Sequence, residues 1–117
     1  MNTTIETLDS ATIVKATGRL DFEASASFQK ELEQAIANAA ARKAAVAINC
    51  EGIEYVSSAG LRVFLVAARA AKSAAIGFGV CSLTAGVKEV FDISGFGRII
   101  DVFPDQAAAL AKFSTPA

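Results

Sequence analysis

The pattern that most constrains this chain is a repeated switch in hydrophobic period. Thr4-Ile5-Glu6-Thr7-Leu8-Asp9 alternates apolar and polar residues with a period of two, which predicts a strand over residues 4–9. Asp9-Ser10 reads as a turn, and Thr12 to Thr17 as the second strand of a hairpin ending at Gly18. From Ala24 the period lengthens. Phe28, Leu32, Ala35, Ile36 and Ala39 recur at three- and four-residue spacing, with Lys30, Glu31, Glu33 and Gln34 on the other face. That predicts an amphipathic helix of about four turns.

The switch then repeats. Ala45-Val46-Ala47-Ile48-Asn49-Cys50 is a short apolar run, as a central strand covered on both faces requires. A helical run from Leu61 to Ala71 places Leu61, Phe64, Leu65 and Ala68 on a buried face, with Arg62, Arg69 and Lys72 elsewhere. Ile76 to Cys81 reads as a strand that Gly77 and Gly79 weaken. Thr84 suits the N-cap of a helix carrying Val87, Val90 and Phe91. Gly95-Phe96-Gly97 reads as a loop and Ile99 to Val102 as a short strand. Pro104 suits a first helical position and Asp105 the first turn of a last helix docked by Leu110 and Phe113, with Ser114 to Ala117 fraying. Strands and helices that alternate in this way predict an α/β fold with a largely parallel sheet. No linker, repeat or low-complexity segment divides the 117 residues, so one domain is expected over 1–117, with a core of about 4–112.

Composition removes several function classes. The chain has no histidine, which excludes Ser-His and Cys-His nucleophile pairs. Zinc would need a close cysteine pair, and Cys50 and Cys81 are far apart in sequence, each inside an apolar segment that suits a buried free thiol. A net charge of −1, with Lys and Arg scattered, lacks the basic stripe of a nucleic-acid binder. No apolar run has the length of a membrane span, and Met1-Asn2-Thr3-Thr4 opens no export signal. The expected setting is cytoplasmic. No metal or cofactor site is expected, and Gly95-Phe96-Gly97 lacks nucleotide-binding spacing.

The stretch most telling of function is Asn49 to Arg62. It reads as a strand end, a short loop and two adjacent hydroxyls, Ser57 and Ser58, where a helix begins. A serine there satisfies orphan backbone donors as an N-cap. The same place suits a phosphate, because a helix N-terminus carries partial positive charge.

Four pieces standing in order resemble STAS domains, specifically the anti-sigma factor antagonists of bacterial partner-switching systems. Gly18-Arg19-Leu20-Asp21 resembles the Gly-x-Leu/Ile-Asp segment before the first helix. Asn49 to Gly52 resembles the central strand end, followed by an apolar-aromatic pair given by Tyr55-Val56. Ser57-Ser58-Ala59-Gly60-Leu61 resembles the Asp-Ser-Ser/Thr-Gly-Leu phosphorylation motif, and Val87 to Phe96 the third helix and its loop. The resemblance implies a STAS (SpoIIAA-like) fold, a mostly parallel mixed sheet of about five strands with about four helices.

It also implies a role. Ser58 matches the serine that a cognate kinase phosphorylates; Ser57, where many members have aspartate, is an alternative acceptor, and Ala59 replaces a second hydroxyl. The protein would be substrate and ligand, not enzyme. Its implied partners are an anti-sigma factor and serine kinase of the histidine-kinase-like ATPase fold, and a PP2C-type phosphatase. The expected docking surface is Asp21, the loop Tyr55-Val56-Ser57-Ser58, and the following helix start with Ala59, Gly60 and Arg62. Gly60 is expected to let a partner approach closely. Two readings stay open for Asp21, helix cap or partner contact, and for Arg62, contact or solvated side chain. Phe22 and Phe96 are expected to pack inside, an exposed one marking a partner site. The competing function is a small cytosolic STAS subunit regulating a membrane transporter of the ABC lipid class.

Overall fold

The computed structural model describes residues 1–114; of the end expected to fray over Ser114 to Ala117, Ser114 is the last residue of a helix, and residues 115–117 lie outside the described residues. The elements are β1 (Asn2–Thr7), β2 (Ala11–Leu20), α1 (Phe22–Ala41), β3 (Ala45–Val56), α2 (Ser58–Ser73), β4 (Phe78–Cys81), α3 (Ala85–Ser94), a 3-10 turn (Phe96–Arg98), β5 (Asp101–Phe103) and α4 (Gln106–Ser114). Their order is the one the changing period predicts. The five strands lie side by side in sequence order. β1 is antiparallel to β2, and every later pair is parallel.

That order dictates the layering. Crossovers between parallel neighbours are right-handed, so a sheet that always grows in one direction puts its crossover helices on one face. α1, α2 and α3 accordingly share a core with Val14, Ala16, Val46, Ile48 and Val80. Phe28, Phe64, Phe91 and Phe96 run through this layer edge to face, with centroids 6.2, 5.4 and 5.8 Å apart. α4 is no crossover and covers the opposite face, where Ala109, Leu110 and Phe113 pack on Ile13, Ala47 and Cys81.

β1 lies two residues earlier than expected, β4 and β5 start two residues later, and α4 starts only after Pro104 and Asp105; three further boundaries differ for identifiable reasons. β2 continues past Gly18, which takes φ +106° beside a register shift that only glycine accommodates cheaply. β3 continues six residues past Cys50, so the expected loop at Tyr55-Val56 is strand. Beyond Asn49, β3 pairs with β2 alone, so Glu51 and Glu54 face water without leaving the sheet. α1 begins at Phe22 and runs 20 residues, longer than four turns, because its alanine-rich end propagates the helix.

The buried stripe of α2 is also rotated from the expected one. Gly60, Val63, Phe64, Ala67 and Ala71 face inward, while Leu61, Leu65 and Ala68 are half-buried. Small residues on that stripe let the helix backbone approach its neighbours, and the leucines fill the flank. Asp105 caps α4 from just outside, its Oδ1 accepting from the Ala108 N–H at 2.8 Å. The cysteines are buried and free. Burial pushes both thiols up, Cys50 far above the ordinary value.

Candidate functional site

Parallel strands deliver their following helices at one edge of the sheet, the carboxyl ends, where α/β proteins place binding sites. Here β2 and β3 end level with each other, with Arg19 beside Tyr55 and Leu20 beside Val56. The ladder carries one step further, since the Ser57 N–H donates to the Leu20 carbonyl at 2.9 Å. Two helix N-termini therefore lie side by side, and α1 packs directly on α2.

Each start is capped by the residue just after the strand. Asp21 Oδ1 accepts from the Ala24 N–H at 3.0 Å, which settles its role within the fold as the N-cap of α1. Ser57 is the N-cap of α2, its Oγ accepting from the Gly60 N–H at 3.1 Å. Its neighbour Ser58 is the first helical residue and is exposed. One hydroxyl of the pair is committed to the backbone, and the other makes no hydrogen bond among the described residues. The first intrahelical bond runs from the Leu61 N–H to the Ser57 carbonyl, so the amides of Ser58 and Ala59 precede it. With no acidic residue in its first turn, that end of α2 suits an added anion.

The serine at 57 has a physical rationale here. Aspartate, which the resembled motif carries at this position, is an equally good N-cap, so Ser57 preserves the cap while dropping a charge.

Two of the expected docking residues are corrected. Val56 is 8% exposed and its side chain belongs to the core, because strand alternation turns it inward where Tyr55 turns out. Gly60 is buried, not open to a partner. A Cβ there would stand 2.7 Å from both Leu20 Cγ and the Leu20 carbonyl oxygen, so the glycine lets α2 pack onto the end of β2. Tyr55, Ser58 and Arg62 are exposed, and Ala59 is half-buried among them.

Sequence reasoning missed two residues. Phe22, expected inside, is 80% exposed as the first residue of α1, beside the Asp21 cap. Arg19 places its guanidinium carbon 4.4 Å from the centroid of the Tyr55 ring, and Tyr55 is 42% exposed. The available signal for Phe22 was the Asp immediately before it, since a cap at 21 puts residue 22 on the first turn, ahead of the buried stripe that begins at Ser25. Phe96, by contrast, packs on Phe91 as expected.

The family model described as STAS domain matches residues 2–109. The chain belongs to the STAS family. Its sequence is 40% identical over 70 residues to a Bordetella bronchiseptica protein described as anti-sigma factor antagonist BtrV, covering 60% of each chain. This STAS chain thus matches less than two thirds of the length of that relative. Its fold is similar to that of a Thermotoga maritima protein described as an anti-sigma factor antagonist, with TM-score 0.87, 17% identity and coverage of 97% of this chain and 95% of the other. It is also similar to the anti-sigma factor antagonist SpoIIAA, a cell fate determinant of Bacillus, in its unphosphorylated form, with TM-score 0.77, 18% identity and coverage of 99% and 100%. The mixed five-stranded sheet with four helices is the fold the sequence resemblance implied.

Proposed function

We propose that this STAS domain is an anti-sigma factor antagonist whose partner binding is switched by phosphorylation of Ser58. The observation that carries the proposal is the division of labour at the start of α2. Ser57 holds the helix cap while Ser58 stands exposed one residue on, with no task inside the fold. Ser58, not Ser57, is then the acceptor.

A partner of the histidine-kinase-like ATPase fold, acting as anti-sigma factor and serine kinase, docks over Tyr55, Ser58, Ala59, Arg62 and the edge of α1 at Asp21 and Phe22. Phe22 has the size and exposure of an anchor residue. Phosphorylation converts a neutral hydroxyl to a charge of about −1.5 to −2. Within this chain the helix end accommodates it, a contribution of about 0.3–1 kcal/mol. Against an acidic group on a docked partner at about 4 Å, one like charge costs about 4 kcal/mol at an effective dielectric of about 20. That corresponds to about a thousandfold in affinity, enough to eject the partner without unfolding the domain.

In this reading the chain works in the cytoplasm as substrate and ligand, not catalyst, and a PP2C-type phosphatase resets it. No helix among the described residues is long and apolar enough to cross a membrane. Nothing at the site favours the alternative of a transporter-regulating subunit. The test is intact mass after incubation with the cognate kinase and ATP. Ser57→Ala should still gain one phosphate and Ser58→Ala none. Phosphate on Ser58→Ala would move the acceptor.

A further inference from the structure

A second feature lies at the other end of α2, roughly 21 Å along the helix from Ser58 at 1.5 Å per residue over the fourteen positions to Lys72. A cavity of about 630 Å³ opens there between the last turns of α2, the start of β4 and the 3-10 turn before β5. Its apolar lining comes from Leu65, Ala68, Ile76 and Phe78, with Ile99 at 58% exposure. Arg69 and Lys72 line it from α2, and Arg98 from the 3-10 turn.

Three cations on one cavity of a chain with net charge −1 is a local concentration of positive charge. Among the described residues, none of the three side chains makes a hydrogen bond or ion pair. Asp101, the one acidic residue of the lining among those described, is likewise unpaired there. Fold stability does not call for this arrangement, since unpaired like charges around a hole repel. The volume lies in the range of small-molecule sites, which combine apolar walls with a few polar groups. Among the described residues, the lining offers no Asn, Gln, Ser or Thr side chain that would read a sugar or a base.

From this combination we infer that the cavity is a binding site for a small amphipathic anion, an apolar chain ending in a phosphate or carboxylate. The chain would lie along Ile76, Phe78 and Ile99, and the head between the α2 cations and Arg98. The site is separate from the Ser58 switch and does not depend on it.

The probe is octyl phosphate below its micelle concentration, titrated into 15N-labelled protein, with octyl glucoside and inorganic phosphate as comparisons. Octyl phosphate should shift the amide signals of residues 65–72 and 98–99 in a saturable way. Each comparison ligand should bind at least about tenfold more weakly, and R69Q/R98Q should weaken octyl phosphate about tenfold or more. Both arginines are exposed, so the variant should fold, which its spectrum checks directly. Octyl glucoside binding as well as octyl phosphate would overturn the anion requirement, and inorganic phosphate binding as well would overturn the apolar one. Shifts confined to another surface, no saturable shifts, or an unchanged affinity in a folded R69Q/R98Q would overturn the site itself.

Discussion

At the start of α2, three small residues within four positions have three different jobs. Ser57 holds the Gly60 amide, Ser58 faces solvent, and Gly60 fits against Leu20. Substitutions should separate them. Ser57→Ala removes a cap and should cost about 1 kcal/mol in urea unfolding, whereas Ser58→Ala should leave the midpoint unchanged. Gly60→Ala gains helix propensity of about 1 kcal/mol, but its Cβ meets a backbone oxygen at 2.7 Å that cannot move aside. Overpacking of about 1–3 kcal/mol should win, and the protein should unfold at lower urea. Phe22→Ala should behave in the opposite manner, leaving stability within about 0.5 kcal/mol. Partner affinity in a calorimetric titration should fall by about 2 kcal/mol, the loss expected of an anchor. Unchanged affinity would remove Phe22 from the interface.

Among the elements, the two faces of the sheet are unequally protected. The face carrying Cys50 lies under three helices, and the face carrying Cys81 under α4, nine residues long. One short helix opens more readily than a three-helix layer. Cys81 should therefore label with a thiol reagent at urea concentrations where Cys50 is still protected, and mass spectrometry of the labelled peptides checks this. Simultaneous labelling would mean that α4 opens only when everything does. The same elements show what the sequence made legible. Strand and helix order could be read because Phe28, Leu32, Ala35 and Ile36, or Val46 and Ile48, bury one face or both with an unmistakable period. The outer half of β3 could not, because Glu51, Gly52 and Glu54 follow no burial pattern; pairing with β2 holds them in the sheet. The rotation of α2 was hidden too, since Gly60, Ala67 and Ala71 signal burial less strongly than the leucines beside them. At the site, the serine motif marked the turn at which α2 starts. Which serine caps it, and that Val56 turns inward, depended on where the strand stopped.

For the molecule as a whole, the buried thiols link stability to alkaline pH. Both have folded-state values raised above the ordinary 9.0 by burial. Below that value the thiols are protonated whether the chain is folded or not, and their contribution is constant. Above it the unfolded chain releases protons that the folded chain retains, so stability should fall as pH rises. Unfolding midpoints from pH 8 to pH 10 should drop more steeply for this protein than for Cys50→Ala/Cys81→Ala, whereas equal slopes would show that the thiols do not contribute. In the proposed function the fold serves as a platform for the switch. Its sheet and aromatic layer hold two helix starts in register, so that a change at one exposed oxygen is felt by a partner and not by the core. The most direct test compares the affinity of the proposed partner, an anti-sigma factor with kinase activity, for the unphosphorylated protein and for protein carrying one phosphate, mapped by mass spectrometry to Ser58. The account predicts a loss of about a thousandfold with no change in the circular dichroism of the domain. Equal affinity of the two forms would contradict it.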